Sequence, residues 1–164
     1  EERRSDAAAI WKRLAEERDD DAVTLSQIAD SMRAIEQIDD AIKLYRRAIE
    51  LDPTSPQYRE YLGEYLHSLD RLDEAIVVWK SIASDDRRNR DSLVRLAEVF
   101  GLFNQGDLAL QTWEQASELD LTFAQRLRYA SELKKSEQYD ASLEQVERTD
   151  CFVRSAAEYR RHST

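Results

Sequence analysis

Proline, glycine, cysteine and histidine are nearly missing from this chain, and each shortage removes a class of answer. Its 164 residues include 2 prolines, 3 glycines, 1 cysteine and 2 histidines. With so few breakers of regular backbone, the chain reads as helix almost throughout. The single cysteine, Cys151, permits no internal disulfide, leaves the redox compartment undecided and reads as an inert thiol. No glycine stands in a GxxxxGK or GxGxxG arrangement, so no phosphate cradle is present. His67, His162 and Cys151 supply neither HExxH nor paired cysteines, so no metal site is read and no cofactor is expected. Apolar runs of about 18 residues are absent, as is a signal-peptide core, so no membrane insertion is expected. The net charge of −10 lacks the basic face that nucleic acid requires, and solubility accounts for it. Adjacent carboxylates such as Asp39–Asp40 and Asp85–Asp86 fall at expected helix ends, where capping explains them better than acid–base work. No catalysis is read in this segment.

What the chain does have is a recurring helix face. In AIKLYRRAIELDP, Ala41, Leu44, Tyr45, Ala48 and Ile49 fall on one side of a helix, and Asp52 and Pro53 end it. The same face recurs at intervals of 34 residues, with Ala7, Ala41, Ala75 and Ala109 each followed four residues later by Trp11, Tyr45, Trp79 and Trp113. At that period and among those neighbours the aromatic residues read as core. A second set of small residues, Ala29, Gly63, Ala97 and, one residue early, Ala130, suits a close crossing of two helices.

A fixed period of 34 residues built from helices resembles the tetratricopeptide repeat. In that family each repeat is a helical hairpin with a small residue at position eight of the first helix facing another at position twenty. Position eight is occupied here by Ala29, Gly63, Ala97 and Ala130, position seven by Ile28, Leu62, Leu96 and Tyr129, and position eleven by Met32, Leu66, Phe100 and Leu133. Arg59 and Arg126 stand where the family often has tryptophan or leucine at position four, and the usual proline appears only as Pro53. The resemblance implies an all-α, right-handed α-solenoid of stacked helix-turn-helix repeats. Its register predicts the second helix of an incomplete repeat over 1–21, repeats over 22–55, 56–89 and 90–122, a divergent repeat over 123–150, and a terminal or capping helix over 151–164. That last helix rests on Phe152, Ala156 and Tyr159 and reads equally as the first helix of a fifth repeat. An unpaired first helix and the lack of an initiator methionine are what a piece of a longer array would show.

The resemblance also implies a concave groove lined by positions two, five, nine, twelve and thirteen of the first helices. Position nine carries Asp30, Glu64 and Glu98, to which a cationic segment would respond. Arg33, His67 and Arg95 lie three residues from them, the spacing of ordinary pairs on a helix surface. Tyr61 adds an aromatic contact, while Val94, Leu102 and Leu127 predict an apolar pocket between the third and fourth hairpins. The clamp with which some co-chaperones of the family hold a C-terminal carboxylate is not matched, because Ser26, Asp30, Tyr61 and Asp91 depart from it and only Arg95 agrees. Nor is the asparagine ladder of related glycosyltransferases, whose positions hold Gln27, Tyr61, Arg95 and Arg128. The arginines of Asp85–Asp91 read as a solvated turn rather than a phosphate loop.

The expected function is therefore a protein-interaction module that binds a peptide segment of a partner, basic or amphipathic in character. Alternatives are the substrate-recruiting arm of a larger sulfo- or glycosyltransferase, and a structural spacer or self-associating array joined through its ends around Ile10 and Trp11.

Overall fold

A computed structural model describes residues 2–83 and 89–148. The expected terminal helix over 151–164, Cys151 and His162, and most of the charged stretch Asp85–Asp91 lie outside the described residues. Those that are described form α1 (Glu2–Glu17), α2 (Ala22–Ala34), α3 (Ile38–Leu51), α4 (Gln57–Ser68), α5 (Leu72–Lys80) with a 3₁₀ turn Ser81–Ala83, α6 (Arg90–Leu102), α7 (Gly106–Ser117), α8 (Phe123–Lys135) and α9 (139–148). Among them there is no strand, and no helix is long and apolar enough to cross a membrane. The chain divides into two compact units, Glu1–Ile82 and Ala83–Thr164.

Each hairpin turns the same way, by a device that sequence does not advertise. Glu36, Asp70, Asn104 and Glu137 all adopt a left-handed conformation, with φ between 57° and 62°. After each of them an amide reaches back across the turn: Gln37 to the Met32 carbonyl at 2.9 Å, Arg71 to Leu66 at 3.0 Å, Gln105 to Phe100 at 2.8 Å and Gln138 to Leu133 at 2.9 Å. These bonds satisfy carbonyls that the helix end would otherwise leave open. Glycine is the residue that usually supplies this conformation, and here none of the four is glycine. In the third turn Asn104 takes the left-handed position and Gly106 opens α7. The interval between successive turn residues is 34, 34 and then 33, which places the one-residue slip of the fourth hairpin at a definite point.

Helices α2, α6 and α8 are capped at their starts by short polar side chains. The Asp21 carboxylate accepts from the Val23 and Thr24 amides and from the Thr24 hydroxyl, and the hydroxyl bond above all holds it below the usual carboxylate range. Asn89 caps α6 in the same manner, and Thr122 forms a reciprocal capping box with Gln125 at the start of α8. Helix α4 follows Pro56 and lacks a side-chain cap. The link before it is held by Asp52, whose carboxylate accepts from the Thr54 and Ser55 amides.

In both units the core is built on small residues set opposite aromatic ones. Ala29 and Ala41 in the first hairpin, and Ala97 and Ala109 in the third, are fully buried, as are Tyr45 and Trp79, and Trp113 is 2% exposed. An ideal Cβ placed on Gly63 would meet the Trp79 ring at 2.1 Å, so the second hairpin closes only because that position has no side chain. The first helix keeps the spacing without the coverage: Ala7, Trp11 and Leu14 are only half-buried, and Ile10 is 56% exposed.

Candidate functional site

The first unit places its sequence-predicted residues on α2 and α4. Helix α2 buries Leu25, Ile28, Ala29 and Met32, which leaves Asp30 and Arg33 on the opposite side. Helix α4 buries Leu62, Gly63, Tyr65 and Leu66 and leaves Tyr61, Glu64 and His67 partly open. Stacking of the two hairpins then pairs them. The Arg33 Nη1 donates to Glu64 Oε1 at 3.1 Å, and its guanidinium lies 5.2 Å above the Tyr65 ring. Burial works against the Arg33 charge, and the bond and charge of Glu64 more than offset it, holding the guanidinium above its ordinary value.

Asp30 is met from below. The Tyr45 hydroxyl, carried up from the core of the same hairpin, donates to its carboxylate. Burial first, and then this bond, push the Tyr45 hydroxyl above its ordinary range, so it stays a donor at neutral pH. The Tyr45 ring lies 6.4 Å from Tyr61 and 6.2 Å from Tyr65, giving an aromatic floor beneath Asp30, Arg33 and Glu64. The Gln57 side-chain amide donates to the Tyr61 hydroxyl and fixes that ring from the N-terminal side. His67 packs against Trp79, ring centres 6.0 Å apart.

In the second unit Glu98 on α6 is bound by Arg128 on α8. Thus two of the three carboxylates at position nine are paired with an arginine from a neighbouring hairpin, and the third accepts a phenol hydrogen. Neighbours three residues away on the same helix were the expected partners, and for Arg33 the structure substitutes Glu64 for Asp30. The physical reason is distance along the stack, since hairpin packing brings position twelve of one first helix against position nine of the next. Arg95 is exposed on α6.

The apolar pocket expected from Val94, Leu102 and Leu127 is not what α6 and α8 build. Val94 is 5% exposed and belongs to the core, whereas Leu102 is 74% exposed and Leu127 40%. Helix α6 buries Leu93, Val94, Leu96, Ala97, Val99 and Phe100, so apolar contact surrounds much of it and draws position five inward. Leu102, beyond the last of these, is left in solvent. Next to it, Gly101 lets Glu132 of α8 lie close, its carboxylate 3.2 Å from where a Cβ would stand and held by Lys135 at 2.8 Å. Sequence reasoning missed Tyr65, Gln57, Glu132 and the second role of Tyr45. An arginine set about one repeat from each glutamate was the signal available for the ion pairs, while the tyrosines gave none beyond their core spacing. Among the described residues no group of three or more His, Cys, Asp or Glu gathers as metal ligands would.

Comparison with known proteins agrees with this architecture. Residues 29–70 match the family model described as TPR repeat. No curated protein sequence matches the chain. Among solved structures, a crystal structure of MamA protein is 18% identical over 93% of this chain and 84% of its own, with a TM-score of 0.56. Another of MamA is 17% identical over 93% and 90%, with a TM-score of 0.55. MamA from Desulfovibrio magneticus RS-1, residue 41 to the end, is 14% identical over 93% and 86%, with a TM-score of 0.55. At such identities the likeness is one of fold: an all-α fold of the α-solenoid class, made of stacked helix-turn-helix units.

Proposed function

We propose that the chain, whose residues 29–70 match the TPR repeat model, is a protein-interaction scaffold whose α2–α4 face takes a peptide segment of a partner. The observation that carries this reading is the preorganised group on that face. Asp30, Arg33, Glu64 and Tyr61 are each fixed by a bond within the unit and stand over the Tyr45–Tyr65 floor. Groups held in place before binding lose little entropy when a ligand arrives, which removes the side-chain-ordering part of the cost of association. Because Arg33 neutralises Glu64, the face suits an amphipathic segment with charges of both signs better than a purely basic one. An aromatic or aliphatic side chain would lie on the tyrosines while backbone amides and carbonyls meet Asp30 and Arg33.

Capture from an extract of the source cell, read by mass spectrometry, tests this. The double variant Arg33→Glu, Tyr61→Ala, shown by circular dichroism to keep its helix content, is expected to retain a specific partner about thirtyfold less well than the wild type, the effect of losing one hot spot. Equal capture by both chains would remove the face from the proposal.

A second reading, self-association, is favoured by α1. Ala7, Trp11 and Leu14 keep the spacing of the buried Ala41, Tyr45 and Ala48 yet are only half-buried. A solution mass that rises with concentration, and no longer does so in Trp11→Glu, is its expected signature. A mass independent of concentration over the micromolar range would dismiss it.

A further inference from the structure

A comparison of two arginines at one repeat position carries an inference about the second unit. Position four is Leu25 and Leu93 in two hairpins, 1% and 4% exposed, and there it is plain core. In the other two it is arginine. Arg59 is 8% exposed and consumed by structure: Nε donates to the Ser81 hydroxyl at 3.1 Å, and Nη1 to the Pro53 and Ser55 carbonyls at 2.7 and 3.2 Å. It ties a loop to a helix and has little left to offer.

Arg126 has the same position and the opposite circumstance. Its side chain is 17% exposed, yet among the described residues it makes one hydrogen bond, to Gln145 Oε1 at 3.5 Å, and one ion pair, to Asp120 at 3.8 Å. Both distances are at the outer limit of a bond. The Asp120 side chain is fully exposed, so water shares that carboxylate. A guanidinium has five donors, and burying most of one with two long contacts is costly unless something else completes it.

What lies beside Arg126 is a cavity of about 250 Å³, lined by Arg90, Asp120, Leu121, Thr122, Phe123, Arg126 and Arg148. Leu121 is buried and Phe123 half-open, giving the cavity an apolar wall. Arg90 donates to the Asp120 carbonyl at 3.0 Å and to the Asp91 carboxylate at 3.1 Å, and Arg148 is paired with Glu144 at 2.7 Å, so Arg126 is the least engaged of the three guanidiniums. Three guanidiniums and an apolar wall around one space match a ligand that is anionic at one end and apolar at the other.

We infer that this cavity is a binding subsite for a peptide carboxylate adjoining an aromatic or aliphatic side chain, with the carboxylate on Arg126 and the apolar group against Leu121 and Phe123. The subsite rests on the geometry of Arg126 and not on the α2–α4 face, so either can fail without the other. None of Ser26, Asp30, Tyr61, Asp91 and Arg95, the positions of the family's carboxylate clamp, lines this cavity.

The test is a titration of the whole chain followed by NMR at the Leu121 methyls and the Arg126 Nε–H. Two probes separate the sources of the carboxylate: N-acetylphenylalanine offers a terminal one, and the amide of N-acetylphenylalanylglutamate offers a side-chain one. Saturable shifts of both signals with either probe at millimolar concentration are expected, and whichever probe binds tighter identifies the source. Affinity is expected to fall about tenfold in Arg126→Gln, the factor for one lost charge-assisted bond. Because Arg126 also packs, Arg148→Gln, at an exposed position, supplies a second variant, with a severalfold loss expected. Absence of shifts, equal shifts with N-acetylphenylalaninamide, or equal shifts with inorganic phosphate would each overturn the proposal.

Discussion

Trp113→Ala is expected to cost about 3–5 kcal/mol of stability, a large share of what a domain of this size has. Trp113 is 2% exposed and its ring lies 5.7 Å from that of Tyr129, at an interplanar angle of 13°. Removing it therefore forfeits area and a stacked pair together, the pair alone being worth about 0.5–1.5 kcal/mol. The fully buried Ala97, Ala109 and Ala116 around that region are too small to refill the space, so a cavity persists instead of collapsing. With a urea slope of about 2 kcal/mol per molar, the unfolding midpoint followed by circular dichroism should fall by about 2 M. Tyr129 gives an independent readout. Burial, ahead of the nearby Glu114 charge, raises its hydroxyl above the ordinary value. A raised folded value means that its stabilising contribution is complete below the ordinary tyrosine range and is lost as pH rises through the folded value. In Trp113→Ala the Tyr129 titration should move back toward the ordinary range. A loss of less than about 1 kcal/mol would show that the site relaxes and that Trp113 is not the anchor of its unit.

How much of this was legible beforehand depends on which interactions are local. Periodicity exposed the buried faces, because Ala41, Tyr45 and Ala48 must share one side of a helix whatever surrounds them. The slip in the fourth hairpin was legible as well, since Ala130 arrives one residue early, and the turn residue Glu137 does the same. Turn chemistry was not, for the left-handed conformation that hairpin closure imposes falls on Glu36, Asp70, Asn104 and Glu137, none of them a glycine. The charged face was half legible. Asp30, Glu64 and Glu98 could be placed by register, but their partners Tyr45, Arg33 and Arg128 depend on how far neighbouring helices slide past one another. Val94 shows the same limit, because an inward or outward position five is decided by a neighbour that helix periodicity does not contain. Arg126 is the extreme case. Sequence marked it only as a departure from the usual leucine, and its meaning appeared when its bonds could be set against those of Arg59.

Gly63→Ala is expected to be destabilising by about 2 kcal/mol net, although alanine is the better helix former. The intrinsic preference favours the substitution by about 1 kcal/mol in a helix interior. Against it stands a Cβ that would lie 2.1 Å from Nε1, 2.5 Å from Cδ1 and 2.6 Å from Cε2 of Trp79. That ring is fully buried and rigid, so relief requires moving α5 away from α4 or forcing Trp79 off its rotamer, and overpacking of this kind costs about 1–3 kcal/mol or more. The clash wins because it falls on a stiff aromatic ring and not on the end of a flexible side chain. Gly106→Ala is the control, with nothing within 4 Å of the new Cβ and no positive φ, and it should be neutral or slightly stabilising. A double-mutant cycle isolates the cause. Trp79→Ala alone should cost about 3–5 kcal/mol through its cavity, and that cavity is where the methyl introduced by Gly63→Ala would go. The two losses should therefore combine to less than their sum, by about 0.5–3 kcal/mol. Strict additivity would mean that the Gly63→Ala penalty arises elsewhere, and that the second hairpin does not depend on a bare backbone beneath Trp79.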